Sequence, residues 1–499
     1  MRLSIYTLFL GFIGLSSQSI GQDNTSLPVN EAVIRALQQN LSLRIEGIDV
    51  LNAREGIVIE ESAFDSNAFA SASHRGSRSA NYGDSLGRVQ MHDSLVRAGV
   101  SKFLNSGAEV QVTTNYNRNS RSSSQILNPS HSSDLSMSLR QPLMQGAGVL
   151  RNLIPLEQAR IEARRSELFL KDTALRIMEI AESAYWNLAY AHEVRTVRAA
   201  SLEVAQKLLE ENQERERVGL ATNIDVLQSQ VFLATTQEAV ISAEALIDTS
   251  QDRLFRQMGA LEYPENHVTV TPLPDLSTEE IGLQTALPTI LANSPNYLQQ
   301  ELNVEIWELF VKSSRNDILP EVDLTAGLGV SGLDDNWSDS YGNTLDRDGY
   351  DWSAGLEFRV PWGQRRNKAR FQQTKNNLQR EFLRLEDLQQ DIKVINRSNW
   401  RNWVTGIERV KAAKLSLDLA TEQFDREQTK YESGLATFRE LLEARNDQDE
   451  ANLRYLSSIL DAIKAEIVNM SLDASLPHRY GLNWDTTSGL IFPEEESER

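Results

Sequence analysis

RERVGLATNIDVLQSQ, Arg215 to Gln230, and KYESGLATFRELLEAR, Lys430 to Arg445, spell Gly-Leu-Ala-Thr twice, each time three residues ahead of an acid and before an apolar-periodic run. Gly219 and Gly434 stand where the residue after a helix needs positive φ, and the next leucine, Leu220 or Leu435, is placed to cover the last turn. Thr222 and Thr437 then cap new helices, with Asp225 and Glu440 completing capping-box patterns. The phrase predicts a tight helix-to-helix reversal, made twice.

The helices that meet at these reversals are long. Between Pro155 and Arg217 there is neither Gly nor Pro, and apolar residues step by threes and fours through Ile177, Ala181, Ala184, Leu188, Ala191 and Val194. From Arg365 to Ser433 only Gly406 could break a second run, whose seam includes Leu378, Phe382, Leu385, Leu388, Ile392 and Ile395. Ordinary helices average about 11–12 residues, whereas runs of roughly 60–70 would reach about 95–105 Å. Rods of that length are stable only when their seams pack along neighbouring helices. The shorter runs Ile224–Met258 and Phe438–Met470 are the natural returning partners.

Between the helical runs the period changes to two. Val322, Leu324, Ala326, Leu328 and Val330 share one face, as do Trp352, Ala354, Leu356, Phe358 and Val360. Earlier, Val110, Val112, Thr114 and Tyr116 alternate with polar residues, as do Leu135, Met137 and Leu139; shorter candidates lie at Phe64–Ser73 and Leu95–Phe103. Runs of about nine to eleven residues suit tilted strands crossing a bilayer. Four to six strands cannot close a membrane barrel, and an unpaired edge in lipid is prohibitive. Several copies must pool their strands; three chains giving four each would make twelve staves.

The composition narrows the field. Arg2 followed by an apolar stretch from Ile5 to Leu15, with small Ser19 and Gly21, reads as a secretory signal cut near Gly21–Gln22. Cysteine is absent, which excludes disulfides, thiolate metal sites and a lipid-modified N-terminal cysteine. The 6 histidines show no metal-ligand spacing, and no cofactor motif stands out. A formal charge of −20 argues against nucleic acid as a partner. GxGxxG at Gly327, Gly329 and Gly332 precedes an acidic stretch rather than a helix, so nucleotide binding is rejected. The acids Asp334, Asp335, Asp339, Asp346, Asp348 and Asp351 lack EF-hand spacing and read as a solvated loop.

The chain is written twice. After a signal segment at 1–21, a first repeat (27–260) runs helix, strands within 62–142, long helix 155–218 and return helix 222–258. A linker, 261–276, leads to a second repeat (277–470) with a helix, a β-hairpin at 321–361, a long helix 364–433 and a return helix 437–470. A tail, 471–499, reads as a surface strap with a disordered end. LPVNEAVIRALQQNLSL (27–43) corresponds to STEEIGLQTALPTILANSPNYL (277–298), with Asn40 matching Asn293, and Gln141-Pro142-Leu143 corresponds to Val360-Pro361-Trp362.

With LPEVDLTAGLGVSG (319–332), WSAGLEFRVPW (352–362), LRQPLMQGAG (139–148) and the paired GLAT turns in this order, the sequence resembles the TolC-like outer-membrane efflux channels from Leu27 to about Met470. The resemblance implies a mainly α fold with membrane β-strands, assembled as a homotrimer: a β-barrel in outer-membrane lipid and an α-helical barrel across the periplasm. It implies a passive, non-enzymatic channel without cofactors, serving a tripartite efflux or type I secretion system. The partners would be a periplasmic adaptor (a membrane fusion protein) and an inner-membrane transporter.

The same resemblance places Gly219, Leu220, Ala221, Gly434, Leu435 and Ala436 on a periplasmic tip that docks the adaptor, though they also serve simply as helix caps. It maps a pore-ringing pair of acids onto Glu440 and Glu443, whose plainer roles are a capping box and an acid near a positive helix end. It maps a closing Tyr–Asp link onto Tyr431 and Asp225. Where a second link uses arginine, this chain has Ala436, opposite Ile224. Two other functions fit the sequence less well: a periplasmic hydrolase, because no Ser/His/Asp order or close carboxylate pair is present, and a poreless structural coiled coil, which would not need alternating strands.

Overall fold

The computed structural model describes residues 26–81, 87–122, 127–260, 266–276, 284–347, 349–485 and 489–491. The signal segment, residues 261–265 of the linker, residues 277–283 at the start of the second repeat, Asp348 and the PEEESER end lie outside the described residues. The first repeat contains α1 (Val29–Gln39), α2 (Leu41–Glu61), strands β1 (Ser66–Asn81), β2 (Gly87–Phe103), β3 (Glu109–Arg121) and β4 (Ser130–Pro142), then α3 (Ile154–Arg217) and α4 (Asn223–Gln257). The second contains α5 (Leu287–Asn293), α6 (Pro295–Asn316), β5 (Glu321–Asp334), α7 (Trp337–Asp346), β6 (Gly349–Arg359), α8 (Arg365–Glu432) and α9 (Phe438–Leu472).

The two long helices run unbroken for 64 and 68 residues. Gly406 does not interrupt α8: a Cβ there would sit 3.3 Å from the Ala462 Cα, so glycine lets α8 and α9 approach closely. Asn40 and Asn293 each end a short helix just before a longer one, so the duplicated asparagines mark duplicated breaks. The Asn40 side chain accepts the Ser42 N–H at 2.9 Å and donates to the Gln257 carbonyl at 3.2 Å.

Two compact units cut across the repeats. One takes in the chain up to Arg44, Thr173–Asn293 and everything from Lys393; the other takes in Ile45–Asp172 and Ser294–Ile392. The first is helical. Its core gathers the foreseen α3 seam, with Ile177, Ala181, Leu188 and Ala191 buried against Ile407, Val410, Ile459 and Ile463. Buried Tyr185 donates its hydroxyl to the Leu27 carbonyl and accepts the Thr271 N–H, both at 2.8 Å, tying the start of the chain to the linker. The tail expected to strap the surface instead enters this core. A short helical turn, Leu476–Arg479, follows α9, and Leu476 and Leu482 are fully buried.

The second unit holds one antiparallel six-stranded meander, β1 to β6 in chain order. Ala68, Val100, Val112, Met137, Leu328 and Trp352 form one cross-strand row on its apolar face. The opposite face is polar: the Arg97 guanidinium donates to Asn115 and the Asn115 amide to Asp134, each at 2.8 Å. β1 and β2 extend well beyond the short candidates expected there, and β3 runs on past Tyr116 to Arg121. The acidic stretch is no simple loop, because ten of its residues form α7. The Asn336 side chain caps that helix by accepting the Asp339 N–H at 2.9 Å. Ser340 and Thr344 seat it on the sheet through hydroxyl contacts to Ser133 at 2.9 and 2.6 Å. Gly327 and Gly329 lie on the polar face, whereas Gly332 lies on the apolar face beneath α7, where a Cβ would strike the Ser340 carbonyl.

Candidate functional site: the paired helix reversals

Both reversals are built from the same backbone bonds. Gly219 adopts φ +81° and Gly434 φ +74°, a region costly for any residue with a Cβ. The Leu220 N–H reaches back to the Arg215 carbonyl at 2.7 Å and the Gly219 N–H to Glu216 at 2.9 Å. The Leu435 N–H reaches Lys430 at 2.8 Å and the Gly434 N–H reaches Tyr431 at 3.0 Å. These pairs are the two bonds of a Schellman motif, which satisfy carbonyls left over at the helix end.

The new helices open on matching caps. Thr222 Oγ1 accepts the Asp225 N–H at 3.3 Å while the Asp225 carboxylate accepts the Thr222 N–H at 2.9 Å. At the second turn Thr437 Oγ1 accepts the Glu440 N–H at 3.3 Å, and the Glu440 carboxylate accepts the Thr437 N–H at 2.7 Å and hydroxyl at 2.9 Å. Those bonds from the Thr437 backbone and hydroxyl hold the Glu440 carboxyl below its usual range.

The leucines depart from expectation. Neither Leu220 nor Leu435 covers a helix end: each is 80% exposed. Val218, Ile224 and Leu227 are exposed beside Leu220, while Ala221 and Ala436 are half-buried. Glu440 and Glu443 both face solvent. Leu220 and Leu435 therefore add no packing to the turns they sit on.

Tyr431 and Asp225 are brought close but not bonded to each other. Tyr431 is buried; its hydroxyl donates to Asn212 Oδ1, and the Arg215 guanidinium lies 4.4 Å from its ring centroid. The Asn212 amide donates to Ser229 Oγ at 2.8 Å, and Ser229 donates to the Asp225 backbone carbonyl at 2.9 Å. Within one chain Tyr431 is joined to the Asp225 backbone through Asn212 and Ser229, while the Asp225 carboxylate is committed to the Thr222 cap. Burial pushes the Tyr431 phenol up. Behind the relay, Arg445 forms a buried ion pair with Asp449 at 3.0 Å and donates to Ser201 at 2.9 Å. Burial raises the Asp449 carboxyl despite that arginine. None of Asn212, Ser229, Ser201, Arg445 or Asp449 was singled out in the sequence. Their partners lie as far as 248 residues away, and no local period announces a buried polar residue.

The duplicated helices, the two-faced sheet and the matched reversals agree with one set of known proteins. The model of the family described as "Outer membrane efflux protein" matches residues 108–260 and 286–467, well over half of the chain. The chain belongs to the outer membrane efflux protein family. Members of this family are channels, not enzymes. The match begins after β2, so β1 and β2 fall outside it, whereas β3 to β6 fall inside. Outer membrane protein TolC of Escherichia coli (strain K12) is 25% identical over 292 residues, covering 55% of this chain and 57% of TolC. The chain thus spans little more than half the length of that curated relative. Among solved structures, the channel CusC superposes with a TM-score of 0.67 at 14% identity, covering 89% of this chain and 91% of CusC. The outer-membrane channel OprN superposes at 0.65 and 16% identity, covering 89% of each. At those identities the likeness speaks for the fold.

Proposed function

We propose that this family member is the outer-membrane channel of a tripartite efflux or type I secretion system, passively conducting substrate delivered by an inner-membrane transporter through a periplasmic adaptor. Three copies pool their sheets into a wall in outer-membrane lipid, and their long helices line a periplasmic conduit. The observation that carries this reading is the pair of identical reversals ending paired long helices, each presenting an uncovered leucine. A compact enzyme or a poreless coiled coil has no use for that repetition. Further support comes from the α8 seam: Phe382 and Ile395 remain exposed in a single chain, where a neighbouring copy would cover them.

On this reading Gly219, Leu220, Ala221, Gly434, Leu435 and Ala436 form the adaptor-docking tip. Glu440 and Glu443 from three copies place six carboxylates around the pore axis. Tyr431 and Asp225 belong to the gate, joined through Asn212 and Ser229, and no arginine at position 436 adds a second lock.

The test is reconstitution of the full chain from outer-membrane fractions into planar bilayers, beside its migration before and after heating. A heat-sensitive trimer with ion conductance is expected; a heat-indifferent monomer without conductance overturns the proposal. Leu220→Asp with Leu435→Asp should leave the trimer intact and abolish capture of the periplasmic adaptor.

A further inference from the structure

Of the six strands in the large sheet, four lie within the residues that match the family and two lie outside. The two outer strands carry the features of wall staves. β1 pairs with β2 along its whole length, from Ser66 opposite Lys102 to Asn81 opposite Gly87, and β2 pairs with β3 from Phe103 opposite Glu109 to Met91 opposite Arg121. Side-chain parity is unbroken across these pairings. Ala68, Ala70 and Ala72 on β1 and Val96, Ala98 and Val100 on β2 continue the apolar face, and Val96 and Val100 are exposed like Met137, Leu328 and Trp352. The polar face continues as well, through the Arg97 bond to Asn115. Among the described residues α7 sits mainly on β4 and β5 and reaches β3 only through Tyr341, which meets Thr114 and stacks on Tyr116.

The lower border of the apolar band moves steadily along the sheet, from Phe358 on β6 through Leu139 on β4 and Val100 on β2 to Ala68 on β1. In the sheet's register Ala68 aligns with Trp352, six residues above Phe358. The upper border climbs in the same sense, by less. At about 3.3 Å per residue the lower climb is about 20 Å over five spacings of about 4.8 Å, a slope of about 40°. Staves of a membrane barrel tilt by about 35–45°. The band therefore lies level in a membrane only when all six strands tilt together. Parity settles the closure: in a six-stranded meander β1 and β6 run in opposite directions, so β1 of one copy meets β6 of the next antiparallel.

We propose that β1 and β2 are staves of the channel wall, and that three copies close an eighteen-stranded barrel through pairing of β1 with β6 of the next copy. This rests on the trimeric channel reading above. Barrel diameter grows roughly linearly with strand number, so the mouth is about 1.5-fold wider than that of a twelve-stranded barrel.

The absence of native cysteine makes cross-linking clean. In full-length trimers in lipid nanodiscs, Ala68→Cys, Ala70→Cys and Ala72→Cys are each paired with Trp352→Cys, Ala354→Cys and Leu356→Cys, which share their face. A second series pairs Val112→Cys and Thr114→Cys on β3 with the same β6 positions. The proposal expects disulfide-linked trimers from the β1 series and none from the β3 series, with eighteen staves in electron-microscopy reconstructions. Trimers linked only through the β3 series, with a twelve-stave wall, overturn this inference and leave the channel reading standing. Solitary particles without an axial bore overturn both.

Discussion

The two reversals share a backbone and differ in what they bury. At the second, Phe438 and Leu441 join Tyr431, Phe424 and Leu208 in a small core. At the first, the residues equivalent in phase from the cap, Asn223 and Val226, bury only Val226, and Ile224 and Leu227 are left in solvent. The polar pair Asn212–Ser229 fills the space beneath the first turn. The turn motif is written in a few local residues and can be copied intact. Its surroundings are not copied, so one turn is anchored by packing and the other presents an apolar surface.

That contrast can be broken most strongly at Phe438. Phe438→Ala should cost about 3 kcal/mol by opening a cavity in the second turn's core, whereas Ile224→Ala should stay within about 0.5 kcal/mol. Thermal unfolding in detergent, followed by circular dichroism, compares them; equal losses would mean that both turns are anchored alike.

A smaller effect, about 1 kcal/mol, is expected from Tyr431→Phe, which removes one hydrogen bond and leaves the Asn212 amide oxygen unpaired. The same change should raise single-channel conductance, as should Asn212→Ala. Asp225→Asn should not, because the relay uses the Asp225 backbone carbonyl. Conductance rising equally in Asp225→Asn would restore the direct Tyr–Asp lock.

The caps should behave as equals. Thr222→Ala and Thr437→Ala are each expected to cost about 1 kcal/mol, seen as matched losses of amide-exchange protection in the first turns of α4 and α9. A loss at one turn alone would show that tertiary packing, not the cap, holds the other.

The smallest effect is one of pH. Glu440 has a folded pKa lowered by the Thr437 backbone and hydroxyl, so its contribution is fully present above the unfolded carboxylate pKa of about 4.3. It disappears as pH falls through the lowered folded value. Protection of the first turn of α9 should therefore be flat from neutral pH to about 5 and decline below it; Glu440→Gln should flatten the decline.

Much of the helical plan was readable because its signals are local. The absence of breakers from Leu156 to Glu216 and the Gly-Leu-Ala-Thr phrases each act over a few residues, and α3, α8 and both reversals fall where those signals put them. One helix was expected ahead of the strands and two are present: α2 has apolar residues on opposite faces, Leu41, Ile45, Ile48 and Ile59 on an exposed one and Leu43, Val50 and Ile57 on the other, so no single stripe marks it as a separate element. α7 was hidden by its acids and glycine. Its buried sheet-facing residues are the polar Ser340 and Thr344, which bond to Ser133, with Tyr341 stacked on Tyr116 beside them, rather than an apolar stripe.

Local rules thus settled where the backbone turns, caps and alternates, since each depends on φ, hydrogen bonds and side-chain period within one or two helical turns. Which side chains those elements cover was settled by three-dimensional packing. The buried Arg445–Ser201 bond, the Tyr431–Asn212 bond and the seating of Leu476 and Leu482 all join residues far apart in the chain. A polar residue and a buried polar residue look alike until the partner that satisfies its hydrogen bonds is brought beside it.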